Sequence, residues 1–221
     1  MRCRDMLTDK IHEILKVNDS YKTPARLLEL IFGNEEELHD VFIQMADLFG
    51  NKYDFDWFHE YFQEENAQRK TNKQDFTPHS LSVLMNRLAD IENDNHTYFE
   101  SAAGTGGILI DRWHQDRIKH SPIFYKPSMY FYYVEEYSDR ALPYLLFNMM
   151  IRGMNGCVIH GDSLTGESFG AFFVHNEKDV DGFSKLKVLP YREFTEKELN
   201  ITFVEKKYKE YEYQTNTRDD D

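Results

Sequence analysis

The sequence predicts an α/β fold, and three observations predict it. A strand, a glycine turn and a helix run together at the centre of the chain, in Phe99-Glu100-Ser101-Ala102-Ala103-Gly104-Thr105-Gly106-Gly107-Ile108-Leu109. Beyond it, strand-like apolar runs alternate with helical patterns, which implies a parallel sheet covered on both faces. Before it, residues from about 7 to 70 carry only helical periodicity, so an N-terminal helical region precedes the sheet.

The elements follow in order. Thr23-Pro24 reads as a cap with proline at the first helical position, Leu27, Leu28, Leu30 and Ile31 form an apolar face, and Gly33-Asn34 closes the helix. Residues 35–49 place Leu38, Val41, Phe42, Met45 and Leu48 at helical spacing before Gly50-Asn51. Residues 56–68 give a third helix, whose Trp57, Phe58, Tyr61 and Phe62 read as core. Thr77-Pro78 opens another, carrying Leu81, Leu84 and Leu88. After the glycine unit, residues 112–126 read as a polar inserted loop, 129–134 as a strongly apolar strand ending at Glu135-Glu136, and 139–152 as a helix. Residues 156–160 and 169–174 read as strands, and 196–221 as strand-like alternation at Ile201 and Phe203 running into a charged tail. The division is therefore a helical region over 1–72, an α/β domain over 73–205 and a charged tail over 206–221.

Composition narrows the function. A net charge of −13 works against a free-standing DNA binder, because nucleic-acid affinity rests largely on Lys and Arg neutralising phosphates. Residues 69–73 and 112–119 are the main basic stretches, and both read as solvated helix faces. No apolar run approaches the roughly 20 residues that span a bilayer, and the N-terminus carries no signal-peptide core. Two cysteines, Cys3 and Cys157, make neither a disulfide framework nor a metal spacing, which suits a cytoplasmic protein; the nine scattered histidines suggest no metal. His79, His114 and His160 read as loop or surface residues rather than bases.

The glycine unit carries the chemistry. Gly104 and Gly106 permit positive φ and close approach of a ligand to the backbone, and the following helix presents its positive end to the turn. A dinucleotide fingerprint would need glycine at Leu109, and a phosphate loop would need Gly-Lys at Leu109-Ile110. A glycine turn with neither pyrophosphate signature suits S-adenosylmethionine, an adenosine ligand without phosphate. In α/β sheets ligands lie beyond the carboxyl ends of the strands. Three acids fall at such ends: Glu100, Glu136, which can accept from ribose hydroxyls, and Asp162, in His160-Gly161-Asp162-Ser163-Leu164, which can accept from an adenine amino group.

Gln74-Asp75-Phe76-Thr77-Pro78, then Ala102-Ala103-Gly104-Thr105-Gly106-Gly107, then Glu136 with Asn148 downstream, then Gly161-Asp162-Ser163-Leu164, resemble in that order the adenine-N6 DNA methyltransferases. The nearest likeness is to the modification subunit of type I restriction–modification systems. The resemblance implies a Rossmann-like S-adenosylmethionine-dependent methyltransferase sheet. It implies that Phe76, Thr77 and Pro78 flank the cofactor tail, that Ala102, Gly104, Thr105 and Gly106 form the close backbone approach beside Glu100, that Glu136 holds the ribose, and that Asp162 with Ser163 holds the adenine. It further implies DNA as partner, directly or through a separate specificity subunit, and leaves open another protein partner or a second copy of the chain. No membrane partner is expected.

The chain departs from the family at two places. Glu100-Ser101 stands where the family has Asp-Pro, which keeps the carboxylate. The family's Asn-Pro-Pro-aromatic loop is absent, since no Pro-Pro occurs; Asn176, in Val174-His175-Asn176-Glu177-Lys178, is the positional candidate for its catalytic asparagine. That loop is held to accept both hydrogens of the adenine amine so that its lone pair meets the methyl group, while an aromatic stacks on the flipped base. Two readings stay open: transfer of a methyl group to adenine N6 in DNA, and a catalytically silent relative that binds cofactor, DNA or a partner subunit. An acidic DNA mimic is a weaker third, since a mimic needs no glycine turn.

Overall fold

The computed structural model describes residues 3–62, 96–120 and 124–210; the expected helix from Thr77-Pro78, the basic residues 69–73 and residues 211–221 of the charged tail lie outside them. Chain order is α1 (Cys3–Leu15), α2 (Thr23–Phe32), α3 (Glu35–Leu48), β1 (Thr97–Glu100), α4 (Gly107–Lys119), β2 (Phe131–Glu136), α5 (Leu142–Ile151), β3 (Gly156–Asp162), β4 (Glu167–His175), β5 (Lys185–Val188), α6 (Glu193–Leu199) and β6 (Thr202–Phe203).

The strands form one sheet in the order β1-β2-β3-β4-β5, with β6 beside β4. The first three are parallel, in a register that sets Glu100 opposite Val134, Val134 opposite Val158 and Glu136 opposite His160. Their carboxyl ends therefore share one edge. The sheet then turns antiparallel at β4 and β5. Only four residues, Ser163 to Gly166, link β3 to β4, and a parallel connection needs a dozen or more. Asp162 builds this hairpin: its carboxylate accepts from Leu164 N at 2.9 Å, its carbonyl accepts from Gly166 N at 2.8 Å, and Gly166 takes φ +74°. The sheet is mixed, not wholly parallel.

One face of the sheet holds the main core. Tyr132, Val134 and Val158 point into it, together with Leu109, Ile110 and Trp113 of α4 and the almost wholly apolar α5. The N-terminal helices contribute Ile11, Leu27, Leu30, Phe42 and Met45 to the same cluster, so helical region and sheet share one interior. Phe42 meets Phe147 of α5 at 4.8 Å between ring centres, and Phe58 meets Tyr144 at 4.9 Å. The opposite face is covered over β3 and β4 by Leu199, Ile201 and Phe203. Beyond that, Phe99 is 61% exposed, so among the described residues the sheet is layered on one face and only part of the other.

Local chemistry sets the helix limits. Asn34 caps α3 by accepting from Glu36 N and Glu37 N, and Gly50 and Asn51 end it with φ of +63° and +56°. Thr23 is the first residue of α2 rather than its cap; its hydroxyl lies 2.6 Å from the Tyr61 hydroxyl and is wholly buried. The polar stretch after Asp111 is no inserted loop as far as Lys119. It continues α4, because Arg112 and Asp116, four residues apart, pair at 2.9 Å inside the protein, and Tyr132 donates to the same carboxylate at 3.1 Å. It is not a solvated basic face at Arg112. The helix α6, not foreseen in the sequence, ends at Asn200 in the left-handed region with φ +53°.

Two of the ion pairs that α4 makes should differ in weight. Asp116→Ala removes the buried carboxylate that Arg112 and Tyr132 share and is expected to cost about 3–5 kcal/mol. Arg117→Ala, which removes the solvent-facing pair with Asp181, is expected to cost under about 1 kcal/mol. Urea unfolding of the two variants checks the contrast; similar losses would contradict it.

Candidate functional site

The turn between β1 and α4 is built by its backbone. Ala103 N donates to Glu135 O at 2.9 Å, docking the turn on the end of β2, and Gly106 N donates to Ala103 O at 2.8 Å. Gly104 and Gly106 take φ of +59° and +97°, a region that side-chain-bearing residues seldom adopt. A Cβ on Gly106 would stand 3.1 Å from Leu145 Cδ1, so this glycine lets the turn pack against α5 and does not face outward. Among the described residues a Cβ on Gly107 would meet nothing within 4 Å, so they leave the space in front of the first turn of α4 open.

Two carboxyl groups flank that opening. Glu136 is buried, with Oε2 accepting from Gly104 N and Oε1 from Ser138 N, each at 2.6 Å. Burial pushes its carboxyl above the usual range, against the opposing pull of the backbone N–H groups of Ser138, Gly104 and Tyr137. Glu100, at the end of β1, accepts from the Tyr98 hydroxyl at 3.1 Å. Burial raises its carboxyl to about 7; the Tyr98 bond opposes this and the nearby charge of Glu136 adds to it. Such a donor set suits a ligand offering hydroxyls and positive charge, and disfavours a pyrophosphate. A carboxylate has about four lone-pair sites, so Glu136 retains acceptors beyond its two backbone bonds.

The structure thus brings Glu100, Ala102, Gly104, Thr105, Gly106 and Glu136 together. Asp162 and Ser163 stand on the same edge, one strand further, in the β3–β4 hairpin. Thr105 is 1% exposed and turns its hydroxyl inward. His160, opposite Glu136, is fully buried and no surface residue; its Nδ1 lies 2.7 Å from the Tyr208 hydroxyl, its Nε2 lies 3.2 Å from Tyr137 O, and burial lowers it to about 4. Phe76, Thr77 and Pro78 fall outside the described residues.

Asn176 is not brought to this edge. The hairpin sets Val174 opposite Gly156, at the start of β3, and seven residues of strand separate that level from Asp162, about 20 Å. There Asn176 is buried, its amide donating to Val180 O at 2.8 Å and Gly153 O at 3.3 Å, while its N–H donates to Asn155 Oδ1 at 2.7 Å. Its side chain ties a loop together, far from the glycine turn.

Sequence reasoning missed the support behind the turn. Asp56, on the loop after α3, accepts the Thr105 hydroxyl on Oδ2 and the Asn148 amide on Oδ1 at 2.8 Å. The same Asn148 amide donates to Thr105 O at 2.8 Å, and Arg152 donates to Asn148 Oδ1 at 2.7 Å. Arg152 is fully enclosed; it also donates to Tyr53 O and Phe55 O, and burial lowers it to about 10.

A family model for N-6 DNA methylases matches residues 44–215, spanning the loop that carries Asp56, the glycine turn and the carboxyl strand ends. The chain belongs to the N-6 DNA methylase family. No curated protein and no solved structure matches it. Among the described residues, no group of histidine, cysteine and acidic side chains could hold a metal ion, and no helix is long and apolar enough to cross a membrane.

The raised carboxyl of Glu100 gives this member of the N-6 DNA methylase family a pH signature. Between about 4.5 and about 7 the unfolded state has lost a proton that the folded state keeps, so stability falls as pH rises through that window. Glu100→Gln removes the titration. Urea midpoints at pH 5 and pH 8 should therefore lie closer together in the variant than in the wild type; an unchanged gap would contradict the assignment.

Proposed function

We propose that this chain binds S-adenosylmethionine in front of the glycine turn and serves the methylation of adenine N6 in DNA. The observation that carries the reading is the joining of Glu136 to Gly104, with the Glu100 carboxyl beside it and, among the described residues, open space before Gly107. When bound, the cofactor supplies a methyl group made electrophilic by its sulfonium. The chain's own groups hold and orient it. Glu136 would accept from the ribose hydroxyls with its remaining lone pairs, Asp162 and Ser163 would hold the adenine, and the backbone of Ala102, Gly104, Thr105 and Gly106 would form the wall of the pocket. Glu100, once ionised, adds a negative field beside the cationic centre. By family likeness, Phe76, Thr77 and Pro78 flank the methionine end.

The acceptors for the adenine amine are a separate matter. In our reading Asn176 braces the loop over 176–180 and does not serve the reaction, because its amide is spent on Val180 O and Gly153 O at the other end of the sheet. That placement favours a second reading, in which the chain holds cofactor and a partner without transferring a methyl group itself. The net charge of −13 points the same way for DNA contact: a specificity subunit that brings the basic surface fits this chain better than direct binding. The setting we infer is the cytoplasm, where the buried Cys157 stays a thiol.

Thermal unfolding with S-adenosylmethionine tests the pocket. At one hundred times Kd the ligand should add about 2.7 kcal/mol of stability. Gly104→Asp, which puts a charged side chain on a left-handed backbone, should abolish the shift, and a shift retained in that variant would reject the site. Asn176→Ala should lower stability by about 1–3 kcal/mol through the carbonyls it leaves bare, yet leave the ligand-induced increment intact. Transfer of labelled methyl groups to adenine-containing DNA, with and without co-expressed partners, separates enzyme from binder. Cofactor affinity should also weaken several-fold from pH 8 to pH 6, as Glu100 takes up its proton and the field it offers the sulfonium fades.

A further inference from the structure

The glycine turn has little conformational preference of its own. Gly104 and Gly106 flank Thr105, and glycine gives up more backbone freedom on ordering than any other residue. Something outside the turn must fix it. Glu136 holds it from the strand side, through Gly104 N. From the helical side, the residue between the glycines is gripped twice: its hydroxyl donates to Asp56, and its carbonyl accepts from Asn148 at 2.8 Å.

Asp56 is the centre of this grip. Oδ1 accepts from the Asn148 amide at 2.8 Å and from Phe58 N at 3.0 Å, while Oδ2 takes the Thr105 hydroxyl. Arg152 fixes the segment that carries Asp56, donating to Tyr53 O at 2.8 Å and Phe55 O at 2.6 Å with its guanidinium 5.1 Å from the centre of the Trp57 ring. Trp57 itself stacks on Phe49 at 4.8 Å and donates to Lys52 O. The segment is thus seated on α5 by a buried cation and a stacked indole. One carboxylate projects from it into the turn.

From this geometry we propose that Asp56 is the positioning residue of the glycine turn, and that residues 53–58 of the N-terminal region are thereby a working part of the cofactor site. The proposal rests on the reading that the turn holds S-adenosylmethionine. It implies reciprocity: whatever binds the turn tightens the docking of residues 53–58 by the same free energy that Asp56 lends to binding.

Asp56→Asn tests it with little change of shape. Three donors converge on the carboxylate, and an amide offers one acceptor atom and a donor in place of the other. In ligand-free protein, hydrogen exchange at the Gly104 and Gly106 amides should speed up about tenfold in Asp56→Asn and in Thr105→Val, with sheet and α1–α3 amides unchanged. Cofactor Kd, measured by equilibrium dialysis of labelled S-adenosylmethionine, should rise about tenfold in each. Both changes act on one bond, which Asp56→Asn turns from charge-assisted into neutral and Thr105→Val removes, so the double variant should lose no more than Thr105→Val alone. Exchange and Kd within twofold of wild type in Asp56→Asn, or losses that multiply in the double variant, would overturn the proposal. A wild-type chain that takes up no S-adenosylmethionine would instead remove the cofactor reading; the exchange measurement, made without ligand, then decides the clamp alone.

Discussion

The carboxylate of Glu136 is the group around which the site is arranged. Buried and without donors, it would cost several kcal/mol. Its two oxygens are satisfied by N–H groups that belong to different pieces of the chain, Gly104 in the turn after β1 and Ser138 in the loop after β2. Neither donor is a side chain that can swing away. The end of β2 and the glycine turn are therefore bound to each other by the need to solvate one charge, and Ala103 N on Glu135 O repeats the tie one residue earlier on each segment. The parallel register of β1 and β2 sets Glu100 opposite Val134, two residues before Glu136 on the same strand, near enough for the two carboxyl groups to feel each other. Burial of that corner, with the charge of Glu136 nearby, accounts for the raised carboxyl of Glu100.

Much of this was legible in residues. A glycine turn between an apolar strand and a helix, with acids ending successive strands, is a local pattern, and every part of it lies within a few positions of the backbone it controls. The caps at Asn34 and Gly50-Asn51 are legible for the same reason. What escaped is what depends on partners distant in sequence. Thr105 lies 49 positions from Asp56 and Asn148 lies 92 from it, so nothing near Asp56 marks it as more than a loop acid. Arg112 and Asp116 are a different case. Their spacing of four is a helix signal that a count of polar residues hides, and both side chains point inward because the pair neutralises itself.

The N-terminal helices and the sheet are held together by one shared interior. Apolar side chains of α1, α2 and α3 enter the same interior as α4, α5 and the inner face of the sheet. Such a surface, once parted, would expose aromatic contacts such as Phe42 on Phe147 and Phe58 on Tyr144. Burial of that kind is the main favourable contribution to folding. The N-terminal helices supply the second wall against which α5 packs, and α5 in turn carries Asn148 and Arg152 to the back of the turn.

The hairpin after β3 decides how far the chain can go toward catalysis by itself. In a doubly wound sheet each new strand returns through a helix and ends on the same edge as the last, so successive strand ends can all contribute to one site. Asp162 and Gly166 replace that return with a four-residue reversal. The next strand must then run the opposite way, and whatever follows it emerges at the far edge. Asn176 follows it. Its displacement from the glycine turn is thus no accident of one side chain's rotamer, and no local adjustment could undo it. Moving Asn176 to the edge that carries the glycine turn would require breaking the antiparallel pairing of β3 with β4 along its whole length. Acceptors for an adenine amine, if this edge of the sheet presents a methyl group to one, must be sought in residues other than those that follow β4.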